Sequence, residues 1–505
     1  YLLRVLRVPA RAILVLCFNR NAVSELKRRL IALVGDDAKG VMVQTYHGLS
    51  LRLTGQALDY RRDNNIDFSA LIRQATQLLT GETDVLGLET DDIRDRLLAG
   101  YRYILVDEYQ DIDQEQYELI SALTGRTLNE ENNKLTILAV GDDDQNIYAF
   151  RKTSVKFIQQ FQHDYNAKEH YLVENYRSSQ HIISAANALI SHNQQRMKTK
   201  QPIRIDKHRK QQAAGGRWQQ LDDLVKGRVQ KLHCTEQQQA FAVLDELLRL
   251  QRLDSDFVWT DCAVLAKEWR SLDAVRALLE QHAIPVSIAL KDKKIPLTRV
   301  REIAEFLQQL TEQPARSAND YLDDLTKQHG ELEQNPWLAL LKHGLTLWQQ
   351  ETSDLVMPSD DTREFFYELL HETKQNCRLG QGIFLSTMHS AKGMEFKHVI
   401  ILDNLWNKDE REEQRRLLYV AMTRAKETLC LLDCTLPHSF LPELNGDFIL
   451  ERNTAQTSQT LKPLHYALLG LDDLNIGYAA KFEKSHLIHH TLKQLKTGDT
   501  LNITA

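Results

Sequence analysis

Two carboxylates stand side by side where an apolar stretch of the sequence stops. The apolar residues 103–106 are followed at once by Asp107 and Glu108. Such a stretch predicts a buried β-strand, and the carboxyl ends of strands in an open α/β sheet are where ligands bind. One carboxylate at that position can hold Mg2+ while its neighbour orients or deprotonates a water molecule. Taken alone, the stretch also fits a strand that runs into a charged, solvated turn.

Three more apolar stretches in the first 150 residues also end in polar or aromatic clusters. The predicted elements of this part are strands 13–18, 41–45, 103–106 and 135–140 and helices 22–34 and 114–123. Strand 135–140 is expected to be buried, and it runs into an acidic cluster that ends at Gln145. This alternation predicts a parallel sheet with helices between the strands and a site along one edge.

The same alternation continues further along the chain. It predicts strands 170–173, 262–266, 285–288, 382–386, 398–402 and 428–432 and a helix at 412–425. Residues 52–100 and 300–380 are mainly helical in pattern and are expected to be insertions. The basic stretch 196–210 could follow phosphates, but such a stretch is more often a solvated face.

The composition limits the class of protein. Of the 505 residues, 42% are hydrophobic and 26% are charged, which is ordinary for a globular protein of several domains. No apolar stretch approaches the ~20 residues that cross a bilayer, and we expect a cytoplasmic protein. The six cysteines are scattered, so structural disulfides and zinc sites are not expected. The net charge of −6 still allows a local groove that binds nucleic acid.

The polar clusters, taken in order, resemble the motif series of superfamily 1 DNA helicases of the UvrD/Rep/PcrA type. Three of the clearest stretches are VDEYQD at 106–111, VGDDDQNIYAFR at 140–151 and STMHSAKGMEF at 386–396. In chain order, the similar stretches are 14–22 (motif Ia), 44–48 (Ib), 106–111 (II), 140–151 (III), 174–178 (IV), 386–396 (V) and 415–426 (VI). The order of the series makes a solvated turn at 107–108 a poor explanation.

The resemblance implies an α/β fold of two RecA-like parallel-sheet lobes with mainly helical insertions. ATP would lie between the lobes, and single-stranded DNA would lie across them. The expected divisions are a first lobe at 1–165 with a small inserted subdomain at 52–100, a second lobe at 166–299 and 381–436, a helical insertion at 300–380, and a C-terminal region at 437–505 that could be an incomplete small β domain.

The resemblance also implies roles in the use of ATP and Mg2+. Asp107 matches the residue that holds the metal, and Glu108 matches the residue that activates water. Gln145 would bind the γ-phosphate or the water, and Arg177 and Arg424 would act as arginine fingers, for which the forked guanidinium is suited. The expected nucleotide-binding residues are Tyr176 on adenine, Gly393, whose backbone can approach closely, and Glu395 on the ribose.

A second group of residues matches family positions at or near single-stranded DNA. These residues are Phe18, His47, Tyr148, Phe150, Arg151 and His389. Flat side chains suit a site without sequence preference because every base offers a π-face. Core packing is the competing explanation for Phe18 and Phe150.

One expected motif is absent from the sequence. No G-x-x-x-x-G-K-[ST] occurs in the 505 residues, although this loop supplies backbone N–H groups and a lysine to phosphates. In the family it lies shortly before motif Ia. We therefore expect that the chain begins just after its phosphate-binding loop and hydrolyses little or no ATP as it stands.

The leading interpretation is an enzyme, an ATP-dependent DNA helicase or translocase. The family type implies movement from 3′ to 5′ on single-stranded DNA and at DNA junctions. One alternative is a DNA-binding protein that has lost catalysis. Another is the helicase half of a larger machine, with a protein partner or fused domain, such as a nuclease, outside this chain. Assays of ATP hydrolysis with and without DNA would distinguish the motor from the binding protein.

Overall fold

The computed structural model describes most of the chain as two compact units. The described residues are 1–55, 68–83, 90–128, 134–148, 155–289, 297–312, 314–330, 332, 335–352, 354–376, 378–379, 381–404, 406, 410–434, 439–454, 482–483 and 485–494. Unit 1 consists of Tyr1–Ile284 and Ile383–Thr457, and unit 2 consists of Pro285–Gly382 and Ser458–Ala505.

Unit 1 begins with a four-stranded parallel sheet. Its strands are β1 (Ile13–Cys17), β2 (Met42–Thr45), β3 (Tyr103–Val106) and β4 (Thr136–Ala139), in the order β2-β1-β3-β4. The helices of this part are α1 (Arg20–Val34), α2 (Tyr46–Thr54), α3 (Phe68–Thr80), α4 (Thr90–Leu97), α5 (Gln114–Thr124) and α6 (Val155–Tyr165). Because all four strands are parallel, their carboxyl ends meet at one edge, as the sequence predicts.

Capping side chains begin the helices directly after the strand ends. Asn19 accepts a hydrogen bond from the amide of Ala22 and so caps α1. Thr45, the last residue of β2, accepts from the amide of Gly48 and caps α2. Each cap satisfies an amide that the helix itself leaves without a partner. These tight turns keep Phe18 and His47 at the sheet edge.

The expectation that strand 135–140 is buried was wrong. Strand β4 is the last strand of its sheet, and its residues alternate between exposed and half-buried. Leu138 is 55% exposed and Val140 is 50% exposed. By contrast, β1 is buried along its whole length, whereas β3, which also has a neighbour on each side, is fully buried only at alternate residues. An apolar stretch reports that a strand is present but does not report whether it lies at an edge.

Between residues 166 and 284, unit 1 alternates short strands with helices. The elements are β5 (Glu174–Asn175), α7 (Gln180–Ile190), β6 (Arg204–Ile205), α8 (Trp218–Leu221), β7 (Val229–His233), α9 (Gln239–Leu253), β8 (Cys262–Ala266) and α10 (Asp273–Gln281). The strand predicted at 170–173 is wrong, because those residues are irregular and Leu172 is 88% exposed. Only the two residues of β5 form a strand there, parallel to β6.

Unit 2 is mainly helical. Its first part contains β9 (Val286–Ala289), α11 (Arg301–Glu312), α12 (Ala318–His329), α13 (Pro336–Thr352), α14 (Ser359–Asn376) and β10 (Arg378–Leu379), which pairs antiparallel with β9. Ile303, Leu341 and Phe366 are among the fully buried residues of its core. None of the described helices is both long enough and apolar enough to cross a membrane.

The chain returns to unit 1 at Ile383 and completes a second parallel sheet. The new elements are β11 (Ile383–Thr387), β12 (Phe396–Ile401), α15 (Arg411–Met422), β13 (Ala425–Asp433) and β14 (Ile449–Asn453), after which unit 2 resumes with α16 (Leu487–Gln494). Within unit 1 the order is β11-β8-β12-β13-β7-β14, with every pair parallel. Two parallel sheets surrounded by helices confirm the expected α/β class.

Candidate active site

The predicted pair of carboxylates lies at the carboxyl end of β3. The amide of Asp107 donates to the carbonyl of Leu16 in the neighbouring strand at 3.0 Å. Glu108 adopts a left-handed conformation with φ +50°, which turns the chain sharply at the sheet edge. Burial, and then the adjacent charge of Glu108, raise the pKa of Asp107.

The donor chemistry at β3 fits a magnesium ion. Neither Asp107 nor Glu108 makes an ion pair within 4.0 Å with any cation in the described part of the chain. Two adjacent carboxylates without a close cation are suitable ligands for a hard divalent ion that prefers oxygen. Asp107, and through it the end of β3, is therefore where Mg2+ would be held.

Gln110 connects the ends of β3 and β4. Its side-chain nitrogen donates to Glu108 at 2.5 Å and to Asp111 at 3.2 Å. Its side-chain oxygen accepts from the amide of Asp142 at 2.9 Å. The amide side chain therefore holds the acid cluster, which we define as Asp107, Glu108 and Asp111, against the turn that follows β4.

Gln145 lies in the short 3-10 helix Asp143–Gln145 that follows β4. Its side chain donates to a carboxylate oxygen of Asp142 at 2.9 Å, and its backbone carbonyl accepts from the ammonium of Lys392 at 2.9 Å. The predicted residue is therefore at the same sheet edge as the acid cluster, with its side-chain amide directed to Asp142.

Lys392 joins the first sheet to the segment that follows β11. Its ammonium forms an ion pair with Asp111, which is only 2% exposed. Burial raises the pKa of Asp111 to about 6, although the charge of Lys392 opposes this rise. The second carboxylate oxygen of Asp111 has no hydrogen-bond partner among the described residues. The pair is therefore deeply buried and depends on one cation.

The two predicted arginine fingers lie together near the amino ends of β12 and β13. Arg177 donates to Glu395 at 2.6 Å and to the carbonyl of Thr423 at 3.2 Å. Arg424, which is 3% exposed, donates to the carbonyls of Val420 at 2.9 Å and Met394 at 3.3 Å. Thus both guanidinium groups are fixed by protein acceptors.

The charge of Arg424 is influenced by the acid cluster. Burial lowers the pKa of Arg424 to about 10, and the neighbouring charge of Arg177 lowers it as well. The carboxylates of Glu108 and Glu395 act in the opposite direction. Glu108 at the first sheet and Arg424 at the second therefore interact electrostatically within unit 1.

Of the predicted nucleotide-binding residues, Glu395 contacts this arginine pair directly. Glu395 accepts from Arg177 and forms an ion pair with Lys426 at 2.9 Å. Burial alone would raise the pKa of Glu395, but these two cations together lower it. Gly393 has φ +81°, with no atom within 4 Å of the position a Cβ would occupy. Tyr176 is 68% exposed, and its hydroxyl donates to Glu174 at 2.9 Å.

Three of the residues predicted to meet DNA form an aromatic row, which we define as Phe18, Tyr148 and His389. The rings of Phe18 and Tyr148 stack with centroids 5.9 Å apart and an angle of 10° between their planes. The rings of Tyr148 and His389 are 6.4 Å apart with a tilt of 39°. The ammonium of Lys392 lies 5.0 Å from the centre of the Tyr148 ring. The row therefore connects segments that follow β1, β4 and β11.

Of the three other residues predicted to meet DNA, His47 falls among the described residues. His47 is half-buried and is the second residue of α2, at the end of β2. Phe150 and Arg151 lie outside the described residues.

The acidic residues after β4 are paired with part of the basic stretch. Arg196 donates twice to Asp144, at 2.7 Å each, and Lys198 forms an ion pair with Asp142. The amide of Met197 donates to Asp143 at 2.7 Å. Because two cations are directed at this cluster, it is an ion-pair network rather than a bare metal site.

Sequence reasoning missed Lys392, Gln110 and Arg196. Lys392 and Arg196 contact residues 281 and 52 positions away in the chain, so local pattern could not reveal their partners. The signal for Lys392 was its place inside motif V, directly before Gly393 and three residues before Glu395. Gln110 stands inside motif II itself, between Glu108 and Asp111.

Comparisons with known proteins identify two domains. The UvrD/REP helicase N-terminal domain matches residues 57–166, and the UvrD-like helicase C-terminal domain matches residues 348–435. Together these matches contain the acid cluster, Gln145, Lys392 and Arg424.

Relatives align with larger parts of the chain. The ATP-dependent DNA helicase UvrD1 of Mycobacterium tuberculosis is 31% identical over 57% of this chain and 35% of its own length. The ATP-dependent DNA helicases PcrA of Staphylococcus epidermidis and Leuconostoc citreum are 22% and 26% identical, over 92% and 75% of this chain and 84% and 59% of their own lengths. The chain thus spans about a third of the mycobacterial relative's length. Two family domains in the expected order, and relatives along most of the chain's length, support a superfamily 1 helicase of the UvrD/Rep/PcrA type.

Proposed function

We propose that the protein is an ATP-dependent DNA helicase or translocase that moves along single-stranded DNA. The relatives described as ATP-dependent DNA helicases support this activity. The observation that carries the proposal is the position of Lys392, which contacts the acid cluster through Asp111 and the aromatic row through Tyr148. One cation therefore touches both the groups proposed for ATP and the groups proposed for DNA.

In the proposed reaction, a water molecule attacks the γ-phosphorus of ATP, and ADP and phosphate are the products. Glu108 accepts the proton of that water, and Gln145 orients the water or the γ-phosphate through its amide. Asp107 holds Mg2+, which stabilises the charge on the phosphoryl oxygens when bound. Burial, and then the adjacent charge of Glu108, raise the pKa of Asp107, and a bound cation would offset both effects.

Arg424 and Arg177 supply positive charge opposite Glu108. The burial of Arg424 removes water from around its guanidinium, so its charge is weakly screened. Arg177 is bound to Glu395 in the present arrangement. We infer that ATP exchanges this ion pair for two new contacts, Arg177 with phosphate oxygens and Glu395 with the ribose. The ion pair between Arg177 and Glu395 would thereby be replaced by one contact of each residue with ATP.

The remaining residues would recognise adenine and DNA. The exposed ring of Tyr176 is available to stack on adenine, and the open space at Gly393 allows the ligand to approach the backbone. On the other side of Lys392, the aromatic row offers ring faces to the bases, together with His47, Phe150 and Arg151 as the further family positions. Stacking of this kind binds single strands without reading their sequence.

ATP hydrolysis and DNA binding would be coupled because the acid cluster and the aromatic row both contact Lys392. A change in the charge near Asp111 alters the attraction on Lys392, and Lys392 lies against the ring of Tyr148. The same displacement would therefore reach the DNA-binding row. The family type implies movement from 3′ to 5′. We propose that this protein acts in the cytoplasm on single-stranded DNA and DNA junctions.

Steady-state ATP hydrolysis, measured with and without a single-stranded oligothymidylate, tests the proposal. The assay uses this chain and the full reading frame that contains it, each as wild type and as Glu108→Gln. We expect DNA-stimulated hydrolysis by the full reading frame. Because Glu108→Gln removes the proton acceptor but keeps the shape, we expect it to lower the rate by at least about 100-fold.

Binding of the same oligonucleotide provides the control. Glu108→Gln should bind the oligonucleotide as tightly as wild type, because Glu108 belongs to the acid cluster and not to the residues proposed to contact DNA. If neither this chain nor the full reading frame hydrolyses ATP while both bind DNA, the proposal of a motor is refuted. The protein is then a DNA-binding protein. If Glu108→Gln hydrolyses ATP at the wild-type rate, the assigned proton acceptor is wrong.

A further inference from the structure

Two cysteines lie in contact at the carboxyl edge of the second sheet. Cys234 follows β7 and Cys434 follows β13, and these strands are parallel neighbours. The sulfur atoms are 3.6 Å apart, and one thiol donates a hydrogen bond to the other. Neither residue belongs to the site that we propose for ATP and DNA.

The strand register brings the two side chains to the same face. His233 stands opposite Asp433 and Leu232 opposite Leu432, and the amide of Cys234 continues the ladder by donating to the carbonyl of Asp433 at 3.1 Å. Because side chains alternate along a strand, both cysteines project on the face that carries Leu232 and Leu432. The register of β7 and β13 therefore holds the two cysteine side chains next to each other.

This geometry is compatible with a disulfide bond. Residues directly opposite each other on adjacent strands have Cα atoms about 4.8 Å apart, which is inside the range of roughly 4.4–6.8 Å that disulfides span. The sulfur atoms would need to approach by about 1.5 Å to reach bonding distance. Rotation of the two side chains can supply that displacement without moving the strands.

We propose that Cys234 and Cys434 are a redox modification site that is converted reversibly into an intramolecular disulfide by a low-molecular-weight disulfide. The thiolate of Cys234 attacks one sulfur of the small disulfide, and one small thiolate leaves. The sulfur of Cys434 then attacks Cys234, displaces the second small thiolate and completes the protein disulfide. Two protein thiols are oxidised, one small disulfide is reduced to two thiols, and the two protons end on those thiols.

The environment favours Cys234 as the first nucleophile. The hydrogen bond from Cys434 lowers the pKa of Cys234, although burial and the carboxylates of Asp403 and Asp433 oppose this effect. The amide of Cys434 donates to Asp403 at 2.8 Å, which fixes the second cysteine beside the first. Both cysteines are partly exposed, so a small oxidant can reach them.

The buried cysteines of unit 1 provide an internal comparison. Cys17, Cys262 and Cys430 are fully buried thiols. Burial raises the pKa of Cys17 to about 12 and also raises the pKa of Cys262 and Cys430. A thiol must ionise before it attacks a disulfide. Oxidation of the folded protein should therefore select the partly exposed pair over these three.

The test exposes the folded chain to oxidised glutathione, blocks the remaining thiols with N-ethylmaleimide and maps the unreduced peptides by mass spectrometry. We expect a peptide pair joined through Cys234 and Cys434, a chain lighter by two hydrogen atoms, and full reversal by dithiothreitol. Cys17, Cys262 and Cys430 should carry no glutathione while the protein is folded.

The variants Cys234→Ser and Cys434→Ser sharpen the test. Each should lose the crosslinked peptide, and the remaining cysteine should carry glutathione instead. The proposal is overturned if both cysteines of the wild type are recovered with N-ethylmaleimide, or if each carries its own glutathione. Because the wild-type map alone decides between these results, the test does not depend on the folding of either variant.

Discussion

The two groups of residues on either side of Lys392 are held in different ways. Within the acid cluster, Glu108 is half-buried and Asp111 is buried, and both accept short, directional hydrogen bonds from Gln110. The aromatic row is half-buried and is joined through ring faces at 5.9 and 6.4 Å. These separations fall near the far end of the range of about 4.5–7 Å for aromatic pairs.

This difference agrees with the two tasks that we propose. Hydrolysis needs reacting groups at fixed positions, and preorganised charges act strongly only where water is excluded. Stacking on bases tolerates small displacements because every base offers the same kind of face. Substitutions among the charged groups should therefore have large effects that depend on one partner. Substitutions in the aromatic row should have smaller, graded effects.

The largest expected effect is on hydrolysis in Arg424→Lys. Lysine keeps the charge but cannot reproduce the forked donors that contact Val420 and Met394. If Arg424 is an arginine finger, kcat for DNA-stimulated hydrolysis by the full reading frame should fall by about 10³-fold or more. The measurement is steady-state ATPase activity at saturating ATP and DNA.

Arg94→Lys is the matched control for that substitution. Arg94 is also a buried arginine that donates to backbone carbonyls, those of Ala122 and Leu123. We expect this variant to lose some stability and to keep its catalytic rate. Equal losses of activity in both variants would mean that the effect of Arg424→Lys comes from folding and not from the reaction.

The next effect is on stability, in Lys392→Met. The substitution leaves the carboxylate of Asp111 buried without its cation, which should lower the free energy of unfolding by about 3–5 kcal/mol. The double variant Lys392→Met, Asp111→Asn removes both charges and should recover most of that loss. Urea denaturation of the three proteins measures the difference.

Lys426→Met gives the exposed counterpart of that experiment. Lys426 and Glu395 form an ion pair whose side chains are 41% and 36% exposed, so its loss should cost only about 0–1 kcal/mol. If Lys392→Met costs no more than this, or if the double variant is as unstable as the single one, the charge of Lys392 does not stabilise the folded protein.

The strand ends could be predicted from the sequence because their pattern is local. The strand predicted at 103–106, followed by two carboxylates, is present as β3, although only its alternate residues are fully buried. In the same way, the apolar stretches at 262–266 and 428–432 appear as β8 and within β13. A continuous apolar stretch is what a strand buried on both faces requires, so the inference depends on few residues.

Other strands were hidden by polar residues that the fold pairs elsewhere. Strand β7 contains Gln230 and Lys231, both buried, and was not predicted. Gln230 donates to Glu246 at 2.7 Å, and Lys231 approaches Glu451 at 3.3 Å. A buried polar residue is tolerated when a distant partner satisfies it. From hydropathy alone, such a buried strand is therefore mistaken for an exposed segment.

The site shows the same limit. Motif spacing placed Asp107, Glu108 and Gln145 at neighbouring strand ends, since parallel strands bring their carboxyl ends together. It could not show that Lys392 reaches Asp111, because that contact depends on how two separate sheets pack within unit 1. It also could not show that Arg196 is held by Asp144 and so is not free to follow phosphates.

The smallest expected effect is in the aromatic row, and Tyr148→Ala measures it. Tyr148 is the central ring, with contacts to Phe18, His389 and Lys392. If it stacks on a base, its removal should weaken the binding of an oligothymidylate by about 1–3 kcal/mol, or roughly 5- to 150-fold in Kd. Fluorescence anisotropy at several salt concentrations gives both the affinity and its dependence on salt.

Tyr148→Phe separates the ring from the hydroxyl, and the salt dependence separates stacking from charge. The phenylalanine variant keeps a π-face of the same size and should bind DNA as wild type does. Because no cation is lost in either variant, the slope of log Kd against log salt concentration should stay unchanged. A loss of affinity in both variants, or a changed slope in Tyr148→Ala, would mean that Tyr148 acts by positioning Lys392 near phosphate. The two sides of Lys392 would then be a single charged site, and the contrast between fixed charges and adaptable rings would not hold.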